Sequence, residues 1–99
     1  MKGAFDKLDK AFESKVRLGI MSSLMVNEWM DFNDLKTVLN LTDGNLATHL
    51  KNLENKEYIM VEKSFVNRKP KSQYKITNKG NTAFKTHLEA LEEILKNSK

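Results

Sequence analysis

Apolar residues recur along this chain in two rhythms, and the change between them divides it into elements. Leu46, Leu50 and Leu53 fall at i, i+4 and i+7, the spacing of a buried stripe on one helical face. Thr42 precedes them with a side-chain oxygen suited to capping a helix start, and Asp43 adds negative charge where the helix dipole favours it. A helix is therefore expected over 42–56. At about 100° per residue its other side collects Gly44, Asn45, Thr48, Lys51 and Asn52. None of these is an acid, and all are short or flexible enough to approach another surface closely.

The same rhythm runs through Ala4, Phe5, Leu8, Ala11 and Phe12 and predicts a short amphipathic helix over 4–13. Ser14 can cap a second helix over 14–27 with Val16, Ile20 and Leu24 inward and Met21 and Met25 as further core candidates. Nothing between the two is a strong breaker, so one continuous helix is the alternative. Gly19 costs this helix about 1 kcal/mol relative to alanine and leaves room for a close helical neighbour. Trp29-Met-Asp-Phe is long enough only for a turn or a brief edge strand. Asn33 is then expected to cap a helix that carries Leu35, Val38 and Leu39 and ends at Asn40, the residue suited to a left-handed turn.

Past Tyr58 the period becomes two. Ile59, Val61 and, more loosely, Phe65 alternate with Met60, Glu62 and Ser64, and Tyr74 and Ile76 alternate with Gln73 and Lys75. The residues between them hold the single proline, Pro70, expected at a hairpin tip where it disrupts no ladder. The hairpin spans 59–76 and its tip carries Arg68, Lys69 and Lys71. Thr77 can cap a final helix over 78–97 with Ala83, Phe84, Leu88, Leu91 and Leu95 along one face and His87 and Ile94 on its flank. That is more apolar surface than a small core can cover. Phe5, Leu8, Phe12, Phe84, Leu88, Leu91 and Leu95 are thus the candidate interface of a homodimer. The alternative is that the terminal helices pack on each other within one protomer.

Ninety-nine residues, 39% hydrophobic and 30% charged, describe a single globular domain over 1–99 with a small core. No apolar run approaches the roughly 20 residues of a membrane span, and the N-terminus does not resemble a signal peptide. There are no cysteines. This excludes disulfides, cysteine zinc sites and thiol sensors, and a reducing cytoplasm is the natural compartment. The net charge of +4 is modest but unevenly placed. Residues 1–41 hold six basic and six acidic side chains, residues 81–99 three and three, and residues 42–80 eight and four. Lys63 to Lys79 contains no acid at all. Localised positive charge beside a helix with an acid-free outer face is the electrostatic footprint of a polyanion binder.

Two short helices joined by Asn40-Leu41-Thr42, the second polar on its outer face, make a helix-turn-helix pattern. With the basic hairpin and the closing helix, the fold class is α+β, mostly α: a winged helix-turn-helix with a two-stranded wing and long terminal helices for dimerisation. Here the resemblance becomes specific. Ser14-Lys-Val-Arg-Leu-Gly-Ile-Met resembles the opening helix of ArsR-type and MarR-type transcription regulators of bacteria and archaea. Thr42-Asp-Gly-Asn-Leu-Ala-Thr-His-Leu-Lys-Asn-Leu-Glu-Asn-Lys-Glu-Tyr-Ile resembles their recognition helix running into the wing, and Tyr74-Lys-Ile-Thr-Asn-Lys-Gly the strand and cap before their last helix. The likeness extends over roughly residues 14–95.

The resemblance implies a dimer on double-stranded DNA, with recognition helices in successive major grooves and wings on flanking backbone or minor groove. It would place Thr42, Gly44, Asn45, Thr48, Lys51 and Asn52 on the reading face and Arg68, Lys69 and Lys71 on the wing. Two departures stand out. Metal-sensing ArsR members use cysteine or clustered His/Asp ligands, whereas this chain has only His49 and His87, on different helices, so no metal or other cofactor is expected. The glycine usual between recognition helix and wing is replaced by Glu57, so Asn55 or Lys56 is expected to make that turn.

An enzyme is not expected, because there is no Gly-rich phosphate loop, no nucleophile with a paired base and no carboxylate pair suited to a cleft. The competing reading is a winged helix used for protein interaction. Against it stands the lysine-rich run from 63 to 79, since protein interfaces deplete lysine at their centres. Binding to structured RNA would call for stacking aromatics, and the outer helical face has none. An effector pocket at a dimer interface is compatible with the pattern but not demanded by it.

Overall fold

The computed structural model describes residues 2–97. In chain order these form helix α1 (Lys2–Asp6), a 3₁₀ turn (Lys10–Phe12), helix α2 (Lys15–Val26), strand β1 (Met30–Asp31), helices α3 (Phe32–Leu39) and α4 (Asp43–Asn55), strands β2 (Ile59–Val66) and β3 (Lys69–Ile76), and helix α5 (Asn78–Lys96). The amphipathic helix expected over 4–13 is broken, and it is not continuous with α2. Asp9 adopts an extended backbone, and its side chain accepts from the Ala11 N–H to start the 3₁₀ turn. Ser14 is extended as well and caps α2 by accepting from the Arg17 N–H. A local side-chain acceptor offers the chain a cap in place of helix continuation.

The expected cap of α3 moves from Asn33 to Asp31. Met30 and Asp31 pair with Tyr74 and Gln73 as a brief edge strand. That pairing holds Asp31 in the extended conformation a cap requires, and its carboxylate accepts from the Asp34 N–H at 2.7 Å. At the other end of α3, Asn40 takes the left-handed conformation (φ 53°) as expected. The Leu41 N–H reaches the Lys36 carbonyl and the Asn40 N–H the Thr37 carbonyl, the two bonds of a Schellman turn. Thr42 then caps α4, accepting from the Asn45 N–H.

The end of α4 corrects a second expectation. Neither Asn55 nor Lys56 makes the left-handed turn; Glu57 does, with φ 62°. The Tyr58 N–H closes on the Leu53 carbonyl and the Glu57 N–H on the Glu54 carbonyl, so the turn geometry usual with glycine forms here around a glutamate.

The sheet order is β1-β3-β2, all antiparallel. Ile59 pairs with Ile76 and Val61 with Tyr74, which puts these four on the face toward the helices. The hairpin is tighter than the sequence pattern suggests, because Val66 pairs with Lys69 and only Asn67 and Arg68 form the turn. Both have positive φ, 52° and 65°, the signature of a type I′ turn whose twist matches the strands. Pro70, expected at the tip, therefore sits inside β3 opposite Phe65. β1 covers only Gln73 and Tyr74, so β3 is open on that side at Pro70 and no second ladder needs its missing N–H.

Ile20, Met21 and Leu24 of α2, Leu35 of α3, Leu46, Leu50 and Leu53 of α4, and Ile59 and Tyr74 of the sheet form the core. Val16 and Met25 lie at its margin. Val38 is instead 64% exposed. Gly19 lies close to α3: a Cβ there would come within 2.8 Å of a terminal methyl of Leu39, so that side chain would have to turn aside. Phe12 and Phe84, expected at a subunit interface, meet inside the protomer with ring centroids 5.1 Å apart, edge to face, and both are buried. Helix α1 packs on α5 and buries Ala4, so the intramolecular alternative holds for these residues. His87, expected on the flank of α5, is buried against Phe12 and accepts from the Asp9 N–H at 3.0 Å.

Tyr58 gathers these elements together. Its hydroxyl donates to Asp9 at 2.6 Å, and this bond, with burial, pushes the phenol up to about 12. Its ring stacks on Phe12, and its carbonyl accepts from the Thr77 N–H. Thr77 donates its hydroxyl to the Glu57 carbonyl and caps α5 by accepting from the Gly80 N–H. A Cβ at Gly80 would fall 2.0 Å from the Tyr58 carbonyl oxygen. Gly80→Ala should therefore destabilise the protein by at least the ~1–3 kcal/mol typical of overpacking. Gly44→Ala, with nothing within 4 Å of the added carbon, should leave stability unchanged or improve it by up to about 1 kcal/mol. Urea unfolding of the two variants checks this; equal midpoints would contradict the close approach at Tyr58.

Candidate nucleic-acid interface

Leu46, Leu50 and Leu53 anchor α4 so completely that its remaining faces are fixed in direction. Gly44, Asn45, Thr48 and Lys51 are exposed on the outer side, together with Asn55, which the sequence pattern suggests only as a turn residue. Asn55 shares the outer face with Thr48 at helical spacing i, i+7, a relation visible in the sequence once α4 is known to run through it. Thr42 is exposed but its hydroxyl oxygen is engaged as the cap. The Thr48 hydroxyl donates to the Gly44 carbonyl at 2.9 Å, so what it presents outward is an acceptor. Asp43, the acid in the first turn of α4, lies 2.7 Å from Lys36 of α3.

Asn52 departs from the pattern expected of it. It is half-buried, and its Oδ1 is buried without a hydrogen-bond partner. It lines a cleft of about 570 Å³ on the flank of α4, with Arg17 reaching in from α2 and His49, Lys51 and Asn55 beside it. Arg17 is not marked by any sequence pattern, because no spacing within one helix reports a contact between α2 and α4. Its Nε donates to the Ala11 carbonyl and its Nη1 lies 3.0 Å from His49 Nδ1. A guanidinium has donors only, so Nδ1 must accept and the ring proton sits on Nε2. Burial, and secondarily the Arg17 charge, hold the His49 pKa below its ordinary value.

The hairpin supplies the second half of the surface. Arg68 and Lys69 are exposed at its tip, and Lys63 is exposed along β2. Arg68 is held in the left-handed conformation that disfavours a side chain, at a cost of about 1–2 kcal/mol that glycine would avoid. Lys71, expected at the tip, is two residues into β3 and half-buried, 3.8 Å from Asp31 at the start of α3. The wing also exposes Phe65, at 78%, with Met60 and Val66. Of the candidate subunit-interface residues, Phe5, Leu88, Leu91 and Leu95 are exposed and Leu8 is half-buried. Among the described residues no cluster of three potential metal ligands occurs, and no helix is long and apolar enough to cross a membrane.

The family model described as "Winged helix DNA-binding domain" matches residues 16–95. An uncharacterized protein of Methanocaldococcus jannaschii is 44% identical over 88 residues, covering 89% of this chain and 96% of its own. Among solved structures, a transcriptional regulator homologue from Pyrococcus horikoshii superposes with a TM-score of 0.84 at 28% identity, over 97% of this chain and 96% of that one. An ArsR family transcriptional regulator superposes with a TM-score of 0.64 at 15% identity, over 98% and 95% of the two chains, a likeness of fold.

The His49 environment sets a pH dependence. A folded-state pKa below the unfolded value means that the neutral ring favours folding. Its contribution is complete above the ordinary imidazole value of 6.5 and is lost as pH falls through the folded pKa. Urea midpoints of the wild type should therefore drop below pH 6.5 more steeply than those of His49→Gln. Parallel curves would mean that the ring is not held neutral by Arg17 and burial.

Proposed function

The chain belongs to the winged helix DNA-binding domain family, and on that premise we propose that it is a sequence-specific transcriptional regulator of double-stranded DNA that works as a homodimer. The observation that carries this reading is the acid-free outer face of α4, backed by a basic hairpin tip on the same chain. α4 would enter the major groove with Asn45, Thr48 and Asn55 toward base edges and Lys51 at the edge of that face, toward the backbone. Carboxamides suit adenine edges, and the Thr48 oxygen, left as an acceptor, suits an exocyclic amino group. Arg68 and Lys69 would meet phosphates or a narrow minor groove, where charge matters more than base identity. Occupancy of a promoter by such a domain competes with polymerase, which makes repression the expected sign.

The similar protein from Pyrococcus horikoshii is a transcriptional regulator homologue, which supports the same reading here. One observation favours a second reading. Phe65, Met60 and Val66 make the wing more apolar than a pure phosphate contact requires, and a protein partner would cover them.

Selection of fragments from random duplex DNA, followed by mobility shifts, separates the two. Asn45→Ala should cost about 1–3 kcal/mol on the selected site and much less on random duplex. Arg68→Ala with Lys69→Ala should weaken all sequences alike and flatten the log–log salt dependence by about 0.9 for each phosphate no longer neutralised. Equal losses on both DNAs for Asn45→Ala would leave only non-specific binding, and no affinity at low salt would favour the protein partner.

The homodimer rests on the exposed stripe of Leu88, Leu91 and Leu95 on α5, with Phe5 exposed on the helix that packs against it. A contiguous apolar stripe on an otherwise polar helix marks an interaction surface. Sedimentation at micromolar concentration should give a dimer, and Leu91→Lys with Leu95→Lys should give a folded monomer, because neither side chain is part of the core. The selected sites should then show dyad symmetry with half-sites about 34 Å apart. A monomeric wild type would remove the symmetric arrangement.

A further inference from the structure

We propose that the cleft between the start of α2 and the flank of α4 is a socket for one phosphodiester group of the DNA backbone, gripped by Arg17, His49 and Lys51. The inference rests on the DNA-binding reading above and adds an anchor at the edge of the outer face of α4, where Arg17 of α2 and His49 join Lys51. The geometry and the donor chemistry point to it. Arg17, Lys51, His49, Asn52 and Asn55 line the cleft, and no carboxylate does. No described carboxylate forms an ion pair with Arg17 anywhere. Two of its five N–H donors are accounted for, by the Ala11 carbonyl and by His49 Nδ1. The remaining donors, on a group that cannot lose its charge, are left for an acceptor from outside the chain.

The contact with Arg17 also decides what His49 offers. With Nδ1 accepting, the ring proton is on Nε2, and the imidazole acts as a neutral donor rather than a second cation. Lys51 is exposed one turn from Ala47 on the same helix and adds a point charge at the mouth of the cleft. The buried Oδ1 of Asn52 lacks a donor. An anion with several acceptor oxygens and a single negative charge matches this set, and a planar, fork-shaped guanidinium is the cation best suited to grip it. The cleft lies on the same helix as the reading face, so a phosphate held here fixes the depth and register of α4 in the groove. Arg17 and His49 are accordingly positioning residues and carry no sequence information.

The test uses the intact protein and duplexes of its selected site in which single phosphates are replaced, one at a time, by neutral methylphosphonates. In the wild type, one position per half-site should weaken binding roughly tenfold or more, as expected for a charge-assisted hydrogen bond. At that same position, Arg17→Gln should lose most of this penalty, while losses at every other phosphate stay additive. Lys51→Gln, exposed and free of any role in folding, should reduce the penalty at the same phosphate and is the safeguard if Arg17→Gln unfolds, which circular dichroism reports. His49→Gln should do the same. Additive losses at all positions for all three variants would overturn the socket while leaving the DNA-binding reading intact. Failure of the wild type to bind any duplex at low salt would overturn both. Inorganic phosphate provides the control for source. Should millimolar phosphate shift the His49 ring resonances while the DNA losses stay additive, the cleft holds a free anion and the proposal is wrong.

Discussion

The structure depends on a junction of a few residues around Tyr58, where the end of α4, the start of the hairpin, the start of α5 and the N-terminal segment are tied to one another. The Tyr58 N–H closes the helix, its carbonyl fixes Thr77, its ring stacks on Phe12 and its hydroxyl holds Asp9. Asp9 in turn donates its N–H to His87 of α5. Each of these groups is polar and at least partly removed from water, so each is costly unless its partner is in place. The two special backbones nearby serve that closeness. Glu57 turns left-handed so that Tyr58 can follow α4 immediately, and Gly80 has no side chain so that α5 can lie against the Tyr58 carbonyl.

Because of this junction, the direction of α4 and the direction of the wing are not independent. The connection is short, and the N–H and carbonyl groups of Glu57 and Tyr58 are all hydrogen-bonded. The angle between α4 and the base of the wing is therefore set within the free protein. Pre-organisation of this kind lowers the entropy lost on association. The cleft beside α4 is built from the same rigidity, since Arg17 is held by Ala11 on one side and His49 on the other.

Much of this could be read from the residues. The stripe of Leu46, Leu50 and Leu53, the caps at Ser14, Thr42 and Thr77 and the left-handed Asn40 all report on neighbours a few residues away, and local chemistry decided them. Expectations failed where a distant contact overrode a local signal. Phe12 and Phe84 have the spacing of an exposed amphipathic face, yet they meet each other from opposite ends of the chain and close the core. Asn33 is a good cap, but strand pairing with Tyr74 hands that role to Asp31. Pro70 suggests a tip, but the positive φ values of Asn67 and Arg68 place the tip ahead of it. On the candidate surface, Asn45, Thr48 and Lys51 follow from the helical wheel alone. The pairing of Arg17 with His49 does not, because it joins two helices whose packing no single-helix pattern encodes.

The far end of α5 has a consequence for how the molecule moves. Among its described residues none after Ala90 is buried. At 1.5 Å per residue, the segment from Leu91 to Lys96 extends roughly 9 Å past the last buried position. The ends of a helix fray, and this one has no buried residue to hold it. Its backbone amides should open on their own, far more often than those of the core, and exchange with solvent deuterium early in a time course. The terminal turns thus form a region of lower local stability than the core they extend from.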